Sequence, residues 1–272
     1  TAQTMAWILD TYMSTKSPAE RSTNLHVVTG KPIGAGGSAG RDRATGYGVY
    51  LTIKFWAETR GHTLHGKTFA VQGFGNVGYW ASHFLEEEGG VLIGVQDASG
   101  TLYRAEGIDV GELAEYARAN RGRIHGFSKA SPIDSGDFFG LDCDILIPAA
   151  LGNQITAKNA PDIKASLIAE GANGPTDVSA EAILLEKQVD IIPDILCNSG
   201  GVIGSYFEWL QNKNSEIWPM EEVMDRLEKK MRESFNRVTA EAEERQVDWR
   251  SAAFIIAIER LADAYTQRGI FP

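Results

Sequence analysis

Apolar positions recur along this chain in two rhythms. Short apolar runs at residues 69–71, 91–95, 144–147, 167–169 and 189–192 predict buried strands. Between and around them the spacing is helical. Ala2, Met5, Ala6, Leu9 and Met13 open the chain on one face of a helix. Val49, Ile53, Phe55 and Trp56 share a side over residues 44–59, and a further helix is expected over 109–119. The final third is helical. Met224, Leu227, Met231, Val238 and Ala242 form a stripe through an otherwise charged segment, which reads as a helix laid on a sheet or an interface. Residues 250–268 predict a last helix with an apolar face that includes Phe254, Ile255 and Ile258.

The run at 69–71 leads directly into Gly73, Gly75 and Gly78, the spacing G-x-G-x-x-G at a strand-to-helix turn. The next strand ends at Asp97, about 20 residues further on, which is the dinucleotide-binding pattern. In that pattern the first glycine permits the tight turn. The second lets backbone approach a pyrophosphate, and the third lets helix pack on strand. The helix start supplies free N–H groups and a positive dipole end. A carboxylate at position 97 can accept hydrogen bonds from both ribose hydroxyls. The predicted fold is α/β: a Rossmann-like, mostly parallel sheet with helices on both faces and a helical carboxy-terminal third, in a single dinucleotide-binding domain over residues 1–272. Ligands in such sheets sit beyond the strand carboxyl ends, where this chain places GFGNVG, PAALGN, EGANGPT and PDILCNSGG.

Composition narrows the partners. The chain has 272 residues, 43% hydrophobic and 23% charged, with a formal net charge of −10. That charge argues against a nucleic-acid partner, which wants a basic stripe. No apolar run approaches the ~18 residues of a membrane span. Two cysteines, Cys143 and Cys197, are too few for a disulfide framework, so a reducing cytoplasm is the expected setting. No Cys/His cluster has metal-ligand spacing. Thr1 stands where a methionine would, and a helix begins at once, so the sequence reads as a fragment of a longer protein.

Residues 61–68, GHTLHGKT, match the phosphate-loop pattern G-x-x-x-x-G-K-T. That pattern works between a strand and a following helix. Here a helix precedes it and a strand follows, so the segment reads as a surface loop with a solvated Lys67.

GKPIGAGGSAGRDRATGYG, GFGNVG, EGANGPT and NSGGVIGSYFEW, in this order, resemble the glutamate, leucine, phenylalanine and valine dehydrogenase family, and within it the glutamate enzymes. The likeness runs over nearly the whole chain. It implies the cofactor domain of an NAD(P)-dependent enzyme that deaminates L-glutamate to 2-oxoglutarate and ammonia, in a homo-hexameric parent. The alternatives are the cofactor domain of a leucine, phenylalanine or valine dehydrogenase, or a non-catalytic nucleotide-binding module. The family's catalytic lysine segment and catalytic aspartate are not found in this sequence. No catalytic residue is therefore expected here, and the isolated chain should bind cofactor without turnover. The opening helix, 1–13, and the closing one, 248–272, would join the remainder of the parent.

By the same resemblance, Thr45 meets the nicotinamide carboxamide, or else bonds its own backbone. Arg41 lines the substrate side, ahead of Arg43, and either could instead form a surface ion pair. Asn76 and Val77 give backbone N–H groups to the pyrophosphate. Ala149 and Ala150 pass the ribose. Asn173 and Asn198 lie near the nicotinamide ribose and ring, or make Asx-turns at strand ends. Asp97 favours NAD over NADP because it repels a 2′-phosphate and VQDASG holds no cation, though NADP stays possible. Ser205 favours glutamate, since a buried side-chain carboxylate needs a polar partner. The alternative for Ser205 is a helix serine bonded to its own backbone. Ser199 replaces a commoner alanine, and Cys197 reads as a packing residue.

Overall fold

Every predicted apolar run becomes a strand of one seven-stranded sheet in the computed structural model, which describes residues 1–21 and 24–269. In chain order the elements are α1 (Ala2–Ser14), α2 (Pro18–Arg21), α3 (Ala44–Thr59), β1 (Thr68–Gln72), α4 (Asn76–Glu87), β2 (Val91–Asp97), β3 (Gly100–Tyr103), α5 (Val110–Ala119), β4 (Ser131–Pro132), β5 (Ile145–Pro148), β6 (Leu167–Ala169), α6 (Val178–Glu186), β7 (Asp190–Ile192), α7 (Asp194–Cys197), α8 (Gly200–Asn214), α9 (Met220–Arg245) and α10 (Trp249–Arg268). The strand order is β4-β3-β2-β1-β5-β6-β7. β1 pairs in parallel with both β2 and β5, so the chain reverses its direction of travel across the sheet at β1. Such a switch point leaves a crevice above the strand carboxyl ends.

The period of two along each strand builds the two faces. Phe69 and Val71 join Ile145, Ile147, Leu167 and Ala169 in a core under α3, α4, α5 and α9. Ala70, Leu146 and Ile168 point the other way, into a core closed by α6 and by 3₁₀ turns at Ser135–Gly140 and Ala160–Asp162. Helix α3 is buried along most of its length and spans the predicted residues 44–59. Side-chain caps set the starts of α5, α6 and α10. Asp109 accepts from Glu112 N, Asp177 from Ala180 N, and Asp248 from Ser251 N.

β3 and β4 were not expected from the sequence. β3 runs antiparallel to β2 through the two-residue link Ala98–Ser99, with Asp97 opposite Gly100. Four residues followed by polar loop carry too little periodicity to announce a strand. The expectation for Lys67 is corrected. Its Nζ lies 2.7 Å from Asp144 Oδ1, while Asp144 Oδ2 accepts from Thr68 N and Oγ1. The segment is nonetheless a helix-to-strand loop, as its context required. Predicted residues 270–272 of the closing segment lie outside the described residues.

Candidate functional site

Gly73 follows β1 with φ +92°, a left-handed conformation that favours glycine. A Cβ there would also lie 2.8 Å from Ala149 O and from Ala150 N, so the turns after β1 and β5 touch. A Cβ at Gly78 would fall 1.8 Å from Gly73 O, which seats α4 against the strand. Gly75 differs: a Cβ there would meet nothing within 4 Å. Its backbone faces open space at the start of α4. The amide of Tyr79 bonds to Gly75 O at 2.9 Å, so the amides of Asn76, Val77 and Gly78 precede the helical ladder. Those N–H groups, with the helix dipole behind them, form a cradle suited to a pyrophosphate. Asn76 Nδ2 donates to Asp42 O at 2.5 Å and ties this turn to GRDRATG.

The GRDRATG segment enters α3 beside the start of α8. A Cβ at Gly200 would lie 2.2 Å from Ala44 O, and one at Gly201 would lie 2.4 Å from Thr45 Oγ1. Small residues here let two helix starts meet, and Thr45 sits in that contact. One turn further along α8, Arg41 Nε donates to Ser205 Oγ at 3.1 Å. The two residues singled out for the substrate side are therefore neighbours, although far apart in sequence. Ser205 accepts from Arg41 and keeps its own proton to donate, while the guanidinium retains further N–H donors. Together they can hold a carboxylate. Arg43 turns elsewhere, with its guanidinium 4.3 Å from the centre of the Trp80 ring.

Asn173 and Asn198 also meet. Asn198 Nδ2 donates to Asn173 Oδ1 at 2.7 Å, joining the loop after β6 to the turn after α7. Ala149 is half-buried and Ala150 exposed on the loop after β5. Sequence reasoning missed what fastens these loops. Glu170, at the head of EGANGPT, is buried and bound by Arg250 of α10, which also contacts Glu181 and Asp194. Burial raises the Glu170 carboxyl pKa against the pull of Arg250. The only advance signal was a carboxylate at a strand end, and its cation lies on a distant helix.

Asp97 lies at the carboxyl end of β2 as expected, but its oxygens are engaged. Oδ1 accepts from Ser99 N, Ser99 Oγ and Gly100 N, and Oδ2 accepts from Ile124 N. An ionised carboxylate has about four acceptor positions, so ribose hydroxyls would have to share these oxygens. Beside it opens a cleft of about 790 Å³ that Asp97 shares with Ser99, Arg121, Arg123 and His125. The loop after α5 thus adds cations to the cleft of a carboxylate whose own sequence neighbourhood has none.

Ser199 Oγ donates to Leu196 O at 2.7 Å, a local backbone bond. Cys143 and Cys197 are free thiols in the interior. Burial raises the Cys143 pKa to about 12, and raises that of Cys197 as well, so both are packing residues rather than nucleophiles. Among the described residues there is no group of His, Cys, Asp and Glu that could hold a metal ion, and no helix is long and apolar enough to cross a membrane.

Sheet order and glycine turn together define a doubly wound α/β domain with a phosphate-suited cradle at its switch point. The family model of Glutamate/Leucine/Phenylalanine/Valine dehydrogenase matches residues 36–269, and the chain belongs to that family. It is 42% identical over 270 residues to NAD-specific glutamate dehydrogenase A of Halobacterium salinarum, covering 99% of this chain and 61% of that one. It is 41% identical over 268 residues to the NAD-specific glutamate dehydrogenase of Staphylococcus aureus, covering 98% and 63%. Among solved structures it is similar to the hetero-hexameric glutamate dehydrogenase of Thermus thermophilus in its leucine-bound form. The TM-score is 0.92 at 36% identity, over 100% of this chain and 63% of that one. The chain thus spans about three fifths of the length of these relatives.

Proposed function

We propose that this chain, as a single domain over its residues 1–272, is the cofactor-binding domain of an NAD-dependent L-glutamate dehydrogenase whose parent assembles as a homo-hexamer. The observation that carries the reading is the open space over Gly75, facing the unbonded amides of Asn76, Val77 and Gly78 at the sheet's switch point. These groups would hold the pyrophosphate. Thr45, Asn173 and Asn198 would address the nicotinamide side, with Ala149 and Ala150 along the ribose. NAD held there would supply a hydride acceptor for the substrate Cα. The chain's own residues orient both partners, with Arg41 and Ser205 holding the substrate's side-chain carboxylate.

The relatives' names support NAD, and so does a carboxylate at Asp97, beside which a 2′-phosphate is disfavoured. Arg121 and Arg123 across the cleft favour a weaker acceptance of NADP, because a cation accommodates a 2′-phosphate. Calorimetric titration of the chain with NAD, then NADP, tests the reading. Saturable NAD binding with weaker NADP binding, and no reduction of NAD on adding glutamate, is expected. Tight NADP binding would overturn the cofactor preference. Turnover by the pure chain would overturn its assignment as a non-catalytic part.

A further inference from the structure

We propose that Arg250, on α10, is a positioning residue that sets the two loops carrying Asn173 and Asn198 at the nicotinamide side of the site. This rests on the cofactor reading above. The connections are continuous hydrogen bonds. One Arg250 amino group donates to both Glu170 carboxylate oxygens at 2.8 Å, Nε donates to Glu181 at 2.8 and 3.0 Å, and the other amino group donates to Asp194 Oδ1 at 3.1 Å. Glu170 Oε2 in turn accepts from Asp194 N at 2.8 Å, and Asp194 Oδ2 accepts from Gly174 N at 2.7 Å. Asn173, beside that glycine, accepts from Asn198 Nδ2. One guanidinium therefore reaches the loop after β6 through Glu170 and the start of α7 through Asp194.

The chemistry suits a fixed support. The Glu170 side chain is 0% exposed and that of Arg250 is 18% exposed. A carboxylate buried this deeply is costly to leave without its cation, so the pair holds as a unit. The planar fork of arginine serves three carboxylates in different directions, which a lysine ammonium on its flexible stem does not reproduce. Arg250 itself touches neither Asn173 nor Asn198 and acts through the loops.

The test titrates NAD and ADP into the wild-type chain and into Arg250→Gln, Arg250→Lys and Asp194→Asn variants. ADP carries adenosine and the pyrophosphate but no nicotinamide. Arg250→Gln is expected to lose about tenfold in NAD affinity with ADP affinity unchanged, and Arg250→Lys is expected not to restore it. Asp194→Asn, which keeps the Arg250–Glu170 pair, is expected to lose about threefold for NAD alone, and it carries the test if Arg250→Gln fails to fold. Equal loss for both ligands would show a merely structural residue and overturn the proposal, as would no loss. Amide hydrogen exchange at Gly174 and Asp194 reads the loops without ligand. It should quicken in the variants while β1 stays protected, and unchanged exchange would also overturn the proposal. A wild-type chain that binds neither ligand, with exchange quickened in the variants, would place the failure in the cofactor reading instead.

Discussion

Helices α9 and α10 are neighbours with comparable apolar patterns and opposite fates. In α9 the stripe Val223, Leu227, Met231, Phe235 and Val238 is buried against the helices α3, α8 and α10 rather than on the sheet. In α10 only Ala252 and Ala253 are fully buried, while Phe254, Ile258, Leu261 and Tyr265 are 48%, 61%, 62% and 58% exposed. Trp7, Ile8 and Tyr12 on α1 are likewise exposed. The lesson is that periodicity identifies a helix and its apolar face but not whether the partner of that face lies in the same chain.

The sharpest way to break the contrast is truncation in each helix. Phe235→Ala empties a fully buried site and should cost about 3–5 kcal/mol in urea unfolding. A loss below 1 kcal/mol would mean that the α9 packing is misjudged. The same contrast of interior and surface applies to charge. Lys31 and Glu208 are paired at 2.7 Å with both side chains 0% exposed, whereas Lys230 and Glu233 pair on the outside of α9 at 3.3 Å. Glu208→Ala strands a buried ammonium and also frees the amides of Gly30 and Lys31, so about 3 kcal/mol should be lost. Glu233→Ala should shift unfolding by less than about 0.5 kcal/mol.

A partly exposed pair lies between these limits. Burial pushes the Asp144 carboxyl pKa up, but Lys67 and Thr68 outweigh it and hold it below the usual value of 3.8. A depressed folded pKa contributes stability that is present above the unfolded value and lost as pH falls through the folded one. Wild-type chain should therefore lose more stability than Asp144→Asn below about pH 4, with added salt narrowing the gap. Parallel acid-side curves would remove the pair from the account. The smallest effect belongs to α10, where Leu261→Ala should change unfolding by less than about 0.5 kcal/mol. A loss above 2 kcal/mol would show that this face is already packed.

Local signals explain what the sequence made legible. The limits of α3 agree with its apolar spacing, and β6 coincides with its predicted run, because burial on both sides leaves a dense pattern. The glycine turn was readable because each glycine answers a backbone constraint set within a few residues. β3 and β4 are too short to register, and the β2–β3 hairpin depends on how Asp97 bonds its own turn. The remaining site features are long-range. Arg41 meets Ser205, Arg250 meets Glu170, and Arg121 and Arg123 come to line one cleft with Asp97 only after the sheet has ordered its loops. Nothing in the local sequence pairs Lys31 with Glu208, so that buried ion pair was unreadable in advance.

The central claim is that the space over Gly75 belongs to a dinucleotide, and one substitution addresses it directly. A Cβ at this position would meet no protein atom within 4 Å, and Gly75 is the N-cap of α4 with φ −84°, a conformation open to other residues. Gly75→Ser should therefore keep the wild-type unfolding midpoint, since serine caps helices well. Calorimetric titration of wild type and Gly75→Ser with NAD should show binding to the first and a loss of at least about tenfold in the second. Equal NAD affinity in the two proteins would contradict the account and move the cofactor away from this turn.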